Sequence, residues 1–266
     1  MRYLIFITLI LFIGIPETFS KIVGEEVQYT SNGTTFKGYL AYDDSITGKR
    51  PGVLVVHEWW GHNEYARKRA YMLAQMGYIA LAVDMYGDGK QAHHPEDASK
   101  FSGEVLSNLD TAQKRFEAAM NVLQNQNTTD SKRIAAIGYC FGGAIVLNMA
   151  RRGVDLDGVI SYHGSLPTND PPKSGEVKAR VLIFHGGDDK FITEEQIKTF
   201  TDQMKNANAD ITFITYPGVI HSFTNPEADN YSKKFNIPLA YNAEADKQSW
   251  DKTQEFLNTI FKEENN

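Results

Sequence analysis

Short runs of consecutive apolar residues recur along the chain, each followed by a stretch with helical spacing. Val53-Leu54-Val55-Val56, Tyr78 to Val83, Arg133 to Ile137, Leu156 to Tyr162, Ala179 to Phe184 and Ile211 to Tyr216 are such runs. They have the length and continuity of strands buried on both faces, the habit of parallel sheets. Between them, Ala66, Ala70, Leu73 and Ala74 fall on one face of a helix. Leu106, Leu109, Phe116, Ala119, Met120 and Leu123 mark a long helical stretch, and Pro95 suits the first turn of a helix. Thr193 predicts a helix cap, with the helix running to about Asn206. Trp250, Thr253, Leu257 and Ile260 predict a closing helix. The opening differs: Glu26 to Asp43 alternates around Asn32-Gly33, a tight-turn pair that predicts a hairpin. A hairpin followed by alternating strands and helices predicts an α/β fold, with a mostly parallel central sheet and helices on both faces.

Length adds one constraint. The 266 residues suffice for one large domain, placed at 21–266. Residues 1–20 stand apart: a positive start at Met1-Arg2, an apolar run from Tyr3 to Ile15, and the small residues Thr18 and Ser20 before Lys21. That is the layout of a secretory signal peptide. The run is shorter than the ~20 residues of a membrane span, so a secreted or periplasmic protein without a stable membrane anchor is expected. A net charge of −6 argues against a nucleic-acid partner. Arg67-Lys68-Arg69 is the densest basic group and reads as a solvated helix face.

One cysteine is present, so no intramolecular disulfide can form. Its setting is specific. Gly138-Tyr139-Cys140-Phe141-Gly142 places it between a predicted strand and a predicted helix, in the frame G-x-nucleophile-x-G. Flanking glycines permit the tight turn that lifts the central side chain from the sheet, and the helix start aims N–H groups at whatever the sulfur attacks. Ligands of such sheets bind outside the carboxyl ends of the strands. Glu58, Cys140, an acid at Asp188 or Asp189, and His221 all fall at predicted strand ends, in the chain order of one known type of nucleophile–acid–histidine triad. A histidine base can take the thiol proton and return it to a leaving group. His57, His163 and His185 read as structural strand-end histidines with satisfied hydrogen bonds, and Asp84 as a cap. His93-His94 with Glu96-Asp97 reads as exposed loop; no metal and no cofactor is expected.

The pieces His57-Glu58-Trp59-Trp60-Gly61, Asp84-Met85-Tyr86, Gly138 to Gly143, Gly186 to Phe191 and Tyr216 to Phe223 resemble the dienelactone hydrolase family in content and order. The resemblance implies an α/β-hydrolase fold and a Cys140, Asp189, His221 triad, choosing Asp189 over Asp188. It implies that Glu58 pairs with the resting thiol and helps deprotonate it. The oxyanion hole would be the backbone N–H groups of Phe141 and Trp59. Trp59, Trp60, Tyr86 and Phe141 suggest an aromatic substrate pocket. One departure matters: family members grip a substrate carboxylate with arginines, one just after the histidine, and here Thr224-Asn225-Pro226 stands there. A small neutral ester, lactone or thioester is therefore the expected substrate. The competing readings are a non-catalytic binding protein on the same fold and a thiol redox sensor.

Overall fold

The computed structural model describes residues 21–262. The segment expected to be a signal peptide lies outside the described residues. The hairpin joins β1 (Ile22–Ser31) to β2 (Thr34–Asp43). Its turn has positive φ at Asn32 (49°) and Gly33 (77°), the geometry that suits Asn-Gly. There follow β3 (Arg50–Val56), α1 (Glu64–Gln75), β4 (Ile79–Val83), α2 (Pro95–Leu106), α3 (Leu109–Gln124), β5 (Thr129–Tyr139), α4 (Phe141–Arg151), β6 (Gly158–Tyr162) and β7 (Arg180–Gly186). The last elements among the described residues are α5 (Glu194–Asn206), β8 (Ile211–Tyr216), α6 (Ala228–Phe235) and α7 (Ala243–Lys262).

The strands form one eight-stranded sheet in the order β1-β2-β4-β3-β5-β6-β7-β8. Only the pairings that involve β2 are antiparallel; β4 through β8 run parallel. Side chains alternate between two cores, as the strand period of two requires. Leu54, Val56, Ile134 and Ala136 meet α3, α4 and α5 on one face, while Val53, Val55, Ala135 and Ile137 meet α1 and α7 on the other. β3 pairs with β4 on one side and β5 on the other, so the winding direction reverses there. The crevice beyond the ends of β3 and β5 is thus the expected ligand position.

Three local features differ from the expectation. The long helical stretch is two helices, because Asn108 breaks it and caps α3 by accepting the Thr111 N–H at 2.9 Å. α6 lies in a stretch that the apolar pattern leaves unassigned. Most telling, the basic run in α1 is not a solvated face. Lys68 is exposed, but Arg69 is buried, ion-paired to Asp246 of α7 at 2.6 Å and donating to the Thr224 carbonyl at 2.6 Å. Its guanidinium also lies over Tyr65, Tyr139 and Trp250.

Candidate active site

Cys140 occupies a strained turn between β5 and α4, with φ 53° and ψ −114°. Such a conformation costs ~1–3 kcal/mol in a residue with a Cβ and persists only where its surroundings hold it. The surroundings are backbone: Cys140 N–H donates to Tyr162 O at 2.9 Å and Gly142 N–H to His57 O at 3.1 Å. A Cβ on Gly142 would overlap the Val56 carbonyl, so the glycine is what lets α4 start against the end of β3.

The other strand ends converge on the sulfur. His221 Nε2 lies 3.1 Å from Cys140 Sγ, and its Nδ1 lies 2.7 Å from Asp189 Oδ2. Asp189 Oδ1 accepts the Phe191 N–H at 2.9 Å, which orients the carboxylate. Asp188 is exposed whereas Asp189 is buried against His221, so the geometry distinguishes two neighbours that residue type alone leaves equal. Burial alone would lower the proton affinity of His221, but the sulfur and the Asp189 carboxylate outweigh it and push the pKa up to about 10. Burial would raise Asp189, yet the hydrogen bond and charge of His221 hold it below the usual carboxylate range. The imidazole is thus set to be protonated near neutral pH, with one N–H toward Asp189 and the other toward the sulfur.

Glu58 is buried directly after β3, but its partners differ from those the resemblance implies. Oε1 accepts from Ser222 Oγ at 3.0 Å and Oε2 from Asn225 Nδ2 at 2.5 Å. Desolvation raises its pKa, with both hydrogen bonds opposing. Glu58 therefore grips the loop that carries His221, while Cys140 faces the histidine. Asn225, buried where family members have an arginine, spends its amide on Glu58. Ser222 adopts φ 60°, a second strained residue that this carboxylate holds.

A cavity of about 180 Å³ opens over the sulfur. Trp59, Phe141, Phe191, Leu106 and Leu239 give it apolar walls, with Ser102 and Ser165 as its polar members beside Cys140 and His221. Among the described residues no lysine or arginine lines it, and Lys100 is exposed elsewhere. Phe191, 47% exposed, stands edge-on to the His221 ring at 4.9 Å. Phe191 and Leu239 carry no pocket signal in the apolar pattern; the position of Phe191 two residues after the acid is the available one.

Two expected pocket residues are not in the cavity. Trp60 is 2% exposed and stacks on Tyr231 and Phe235 of α6, with Trp59 edge-on to it at 5.1 Å on the cavity side. Tyr86 lies beneath the site, where its hydroxyl donates to the Trp59 carbonyl at 2.9 Å and its ring meets Phe141 at 5.4 Å. It thereby supports the turn carrying the Trp59 N–H. The Phe141 N–H, first of α4, has no carbonyl partner within its helix. The remaining histidines are structural in part: His57 lies between the Glu58 carbonyl and the Met85 N–H, and His163 Nε2 meets Thr224 Oγ1 at 2.8 Å. His163 Nδ1 and His185 Nδ1, however, are buried without a hydrogen-bond partner, contrary to expectation. Asp84 is a cap, its carboxylate accepting the N–H groups of Lys37, Tyr86, Gly87 and Gly89. His94 caps α2.

The family model described as "Dienelactone hydrolase family" matches residues 36–261. The chain belongs to the dienelactone hydrolase family. It is accordingly an ester-bond hydrolase. The crystal structure of a dienelactone hydrolase-like promiscuous phosphotriesterase, P91, from metagenomic libraries superposes with a TM-score of 0.83 at 33% identity, covering 90% of this chain and 98% of that one. An uncharacterized protein of Caenorhabditis elegans is 34% identical over 149 residues, 55% of this chain and 92% of that protein. Protein usf of Aquifex pyrophilus is 27% identical over 213 residues, 78% of this chain and 90% of that one.

Proposed function

We propose that this dienelactone hydrolase family member cleaves small neutral esters and lactones through an acyl-enzyme on Cys140. The observation that carries the reading is the Cys140–His221–Asp189 relay at 3.1 and 2.7 Å, at the floor of an apolar cavity. The thiolate attacks the substrate carbonyl and forms a C–S bond. The carbonyl oxygen takes the negative charge and accepts from the Phe141 and Trp59 N–H groups. As the tetrahedral adduct collapses, the C–O bond to the leaving group breaks and His221 Nε2 gives that oxygen its proton. Water then attacks the thioester, His221 takes its proton, and the thiolate leaves with the acid product formed. Glu58 is a positioning residue: it holds Ser222 and Asn225, and through them His221.

A cavity whose described lining holds neither lysine nor arginine supports the neutral substrate, because an anionic one would enter without the bidentate contact that arginine provides. A neutral phosphotriester fits the same description, and the 33% identical relative is described as a promiscuous phosphotriesterase. Rapid quench with para-nitrophenyl acetate followed by peptide mass spectrometry should place an acetyl group on Cys140. Cys140→Ala should lose turnover of this ester and of paraoxon alike. An unlabelled Cys140 in an enzyme that turns over would sink the reading. A neutral lactone should also exceed a size-matched carboxylate-bearing lactone in kcat/KM; a salt-sensitive preference for the anion would refute the charge argument. We propose further that the protein is exported, with cleavage before Lys21. The N-terminal sequence of secreted material tests this.

A further inference from the structure

A second cavity, of about 200 Å³, adjoins the first. The two share Leu106 and Ser165 and meet there. Beyond the junction Leu109, Leu166 and Pro167 form apolar wall, and Asn148 of α4 is a polar member. Each cavity alone is smaller than the ~300 Å³ at which ligand pockets commonly begin, and together they pass it.

The far wall is fixed in place. Arg151, buried at the end of α4, donates to the Asn169 carbonyl at 2.9 Å, the Asp170 carbonyl at 3.2 Å and Gln203 Oε1 at 2.8 Å. Gln203 in turn donates to the Thr168 carbonyl at 2.7 Å. The loop over the cavity is thereby fastened to α4 and α5. Asn148 is 8% exposed on a helix whose neighbours Leu147 and Met149 are core residues. Its Nδ2 donates to the Ala144 carbonyl at 2.9 Å, which leaves Oδ1 and the second amide hydrogen for a ligand.

Direction follows from the relay. A leaving group must reach His221, which lies with Phe191 and Leu239, and none of these three lines the second cavity. The arm that enters it is the acyl arm. Asn148 is eight residues beyond Cys140, ~12 Å along α4 at 1.5 Å per residue, and its side chain leans back toward the helix start.

We propose that the preferred substrates carry a medium-length apolar acyl chain ending in a hydroxyl or amide N–H that donates to Asn148 Oδ1; this rests on the ester-hydrolase reading above. The test is kcat/KM for para-nitrophenyl acetate, octanoate and ω-hydroxyoctanoate. Octanoate should exceed acetate at least ~10-fold, as several methylenes leave water, with the hydroxylated chain faster still. Leu109→Trp, which fills the second cavity, should cut the octanoate-to-acetate ratio ~10-fold. Leu109→Phe gives a second variant should the first not fold. Asn148→Leu should remove the preference for the hydroxylated chain. No hydrolysis of any ester by the wild type would refute the underlying reading. Hydrolysis of acetate with a flat or falling length dependence would overturn the acyl-arm proposal alone. So would a length dependence that folded Leu109 variants retain, or a hydroxyl preference that survives in Asn148→Leu.

Discussion

In Asp189→Asn one carboxylate oxygen becomes an NH2 group, and the hydrogen bonds of the site dictate which. Oδ1 accepts the Phe191 N–H and Oδ2 faces His221 Nδ1. The Phe191 donor is backbone and fixed, so the amide oxygen stays with it and the NH2 turns to His221. Nδ1 must then accept, which leaves the ring proton on Nε2, against the sulfur. A histidine in that tautomer cannot take the thiol proton. The opposite amide orientation sets two donors, Phe191 N–H and the new NH2, against each other. Either way the imidazolium loses its carboxylate partner, a contact worth ~1.5–3 kcal/mol, which is about one to two pH units of proton affinity. His221, raised to about 10 in the wild type, then titrates lower. Iodoacetamide alkylation of Cys140 at neutral pH, and kcat/KM for para-nitrophenyl acetate, should fall ~10- to 100-fold. The gap should narrow above about pH 9, where thiols ionise unaided. Stability gives an independent check. A lowered Asp189 pKa stabilises the fold above the ordinary carboxylate range, and that contribution is lost as pH falls through the folded value. Urea midpoints of variant and wild type should therefore differ at neutral pH and converge in acid. Alkylation rates that coincide in the two folded proteins across about pH 6 to 9 would show that Cys140 is activated without this relay.

Glu58→Gln should slow acylation by loosening the Ser222–Asn225 loop, with KM changed less than kcat. Because desolvation raises its pKa in the fold, Glu58 stabilises most below the ordinary carboxylate value, and that advantage is lost as pH rises through the folded one. The urea midpoint of wild type relative to Glu58→Gln should therefore fall as pH rises above about 4.5, and parallel profiles would contradict this. Arg69→Met strands the Asp246 carboxylate and the Thr224 carbonyl and should cost ~3–5 kcal/mol in urea unfolding. Gly142→Ala forces a methyl into the Val56 carbonyl and should abolish soluble, active protein, read by expression and circular dichroism.

The sheet and most helices were legible because their signals are local. Thr193 caps α5 as its position implies, in a capping box with Gln196, and β8 begins and ends where its apolar run does. The convergence of Cys140, Asp189 and His221 was legible for a related reason: strand ends in a parallel sheet gather at one edge. What escaped depends on distant partners. Nothing near Arg69 announces Asp246, 177 residues away, so a buried cation looked like a solvated one. Trp59 and Trp60 differ only in which way an irregular turn points them, and no periodicity specifies that. The partners of Glu58 depend on the path of the loop after His221.

Position 191 divides its labour between main chain and side chain. The N–H of Phe191 orients the acid, whereas its ring walls the cavity beside His221. Every residue except proline supplies that N–H. Variation here can therefore reshape what the enzyme admits while the electrostatics of the relay stay intact, and a library built at this single codon would explore selectivity with little penalty in turnover chemistry. Proline alone would remove the donor along with the ring.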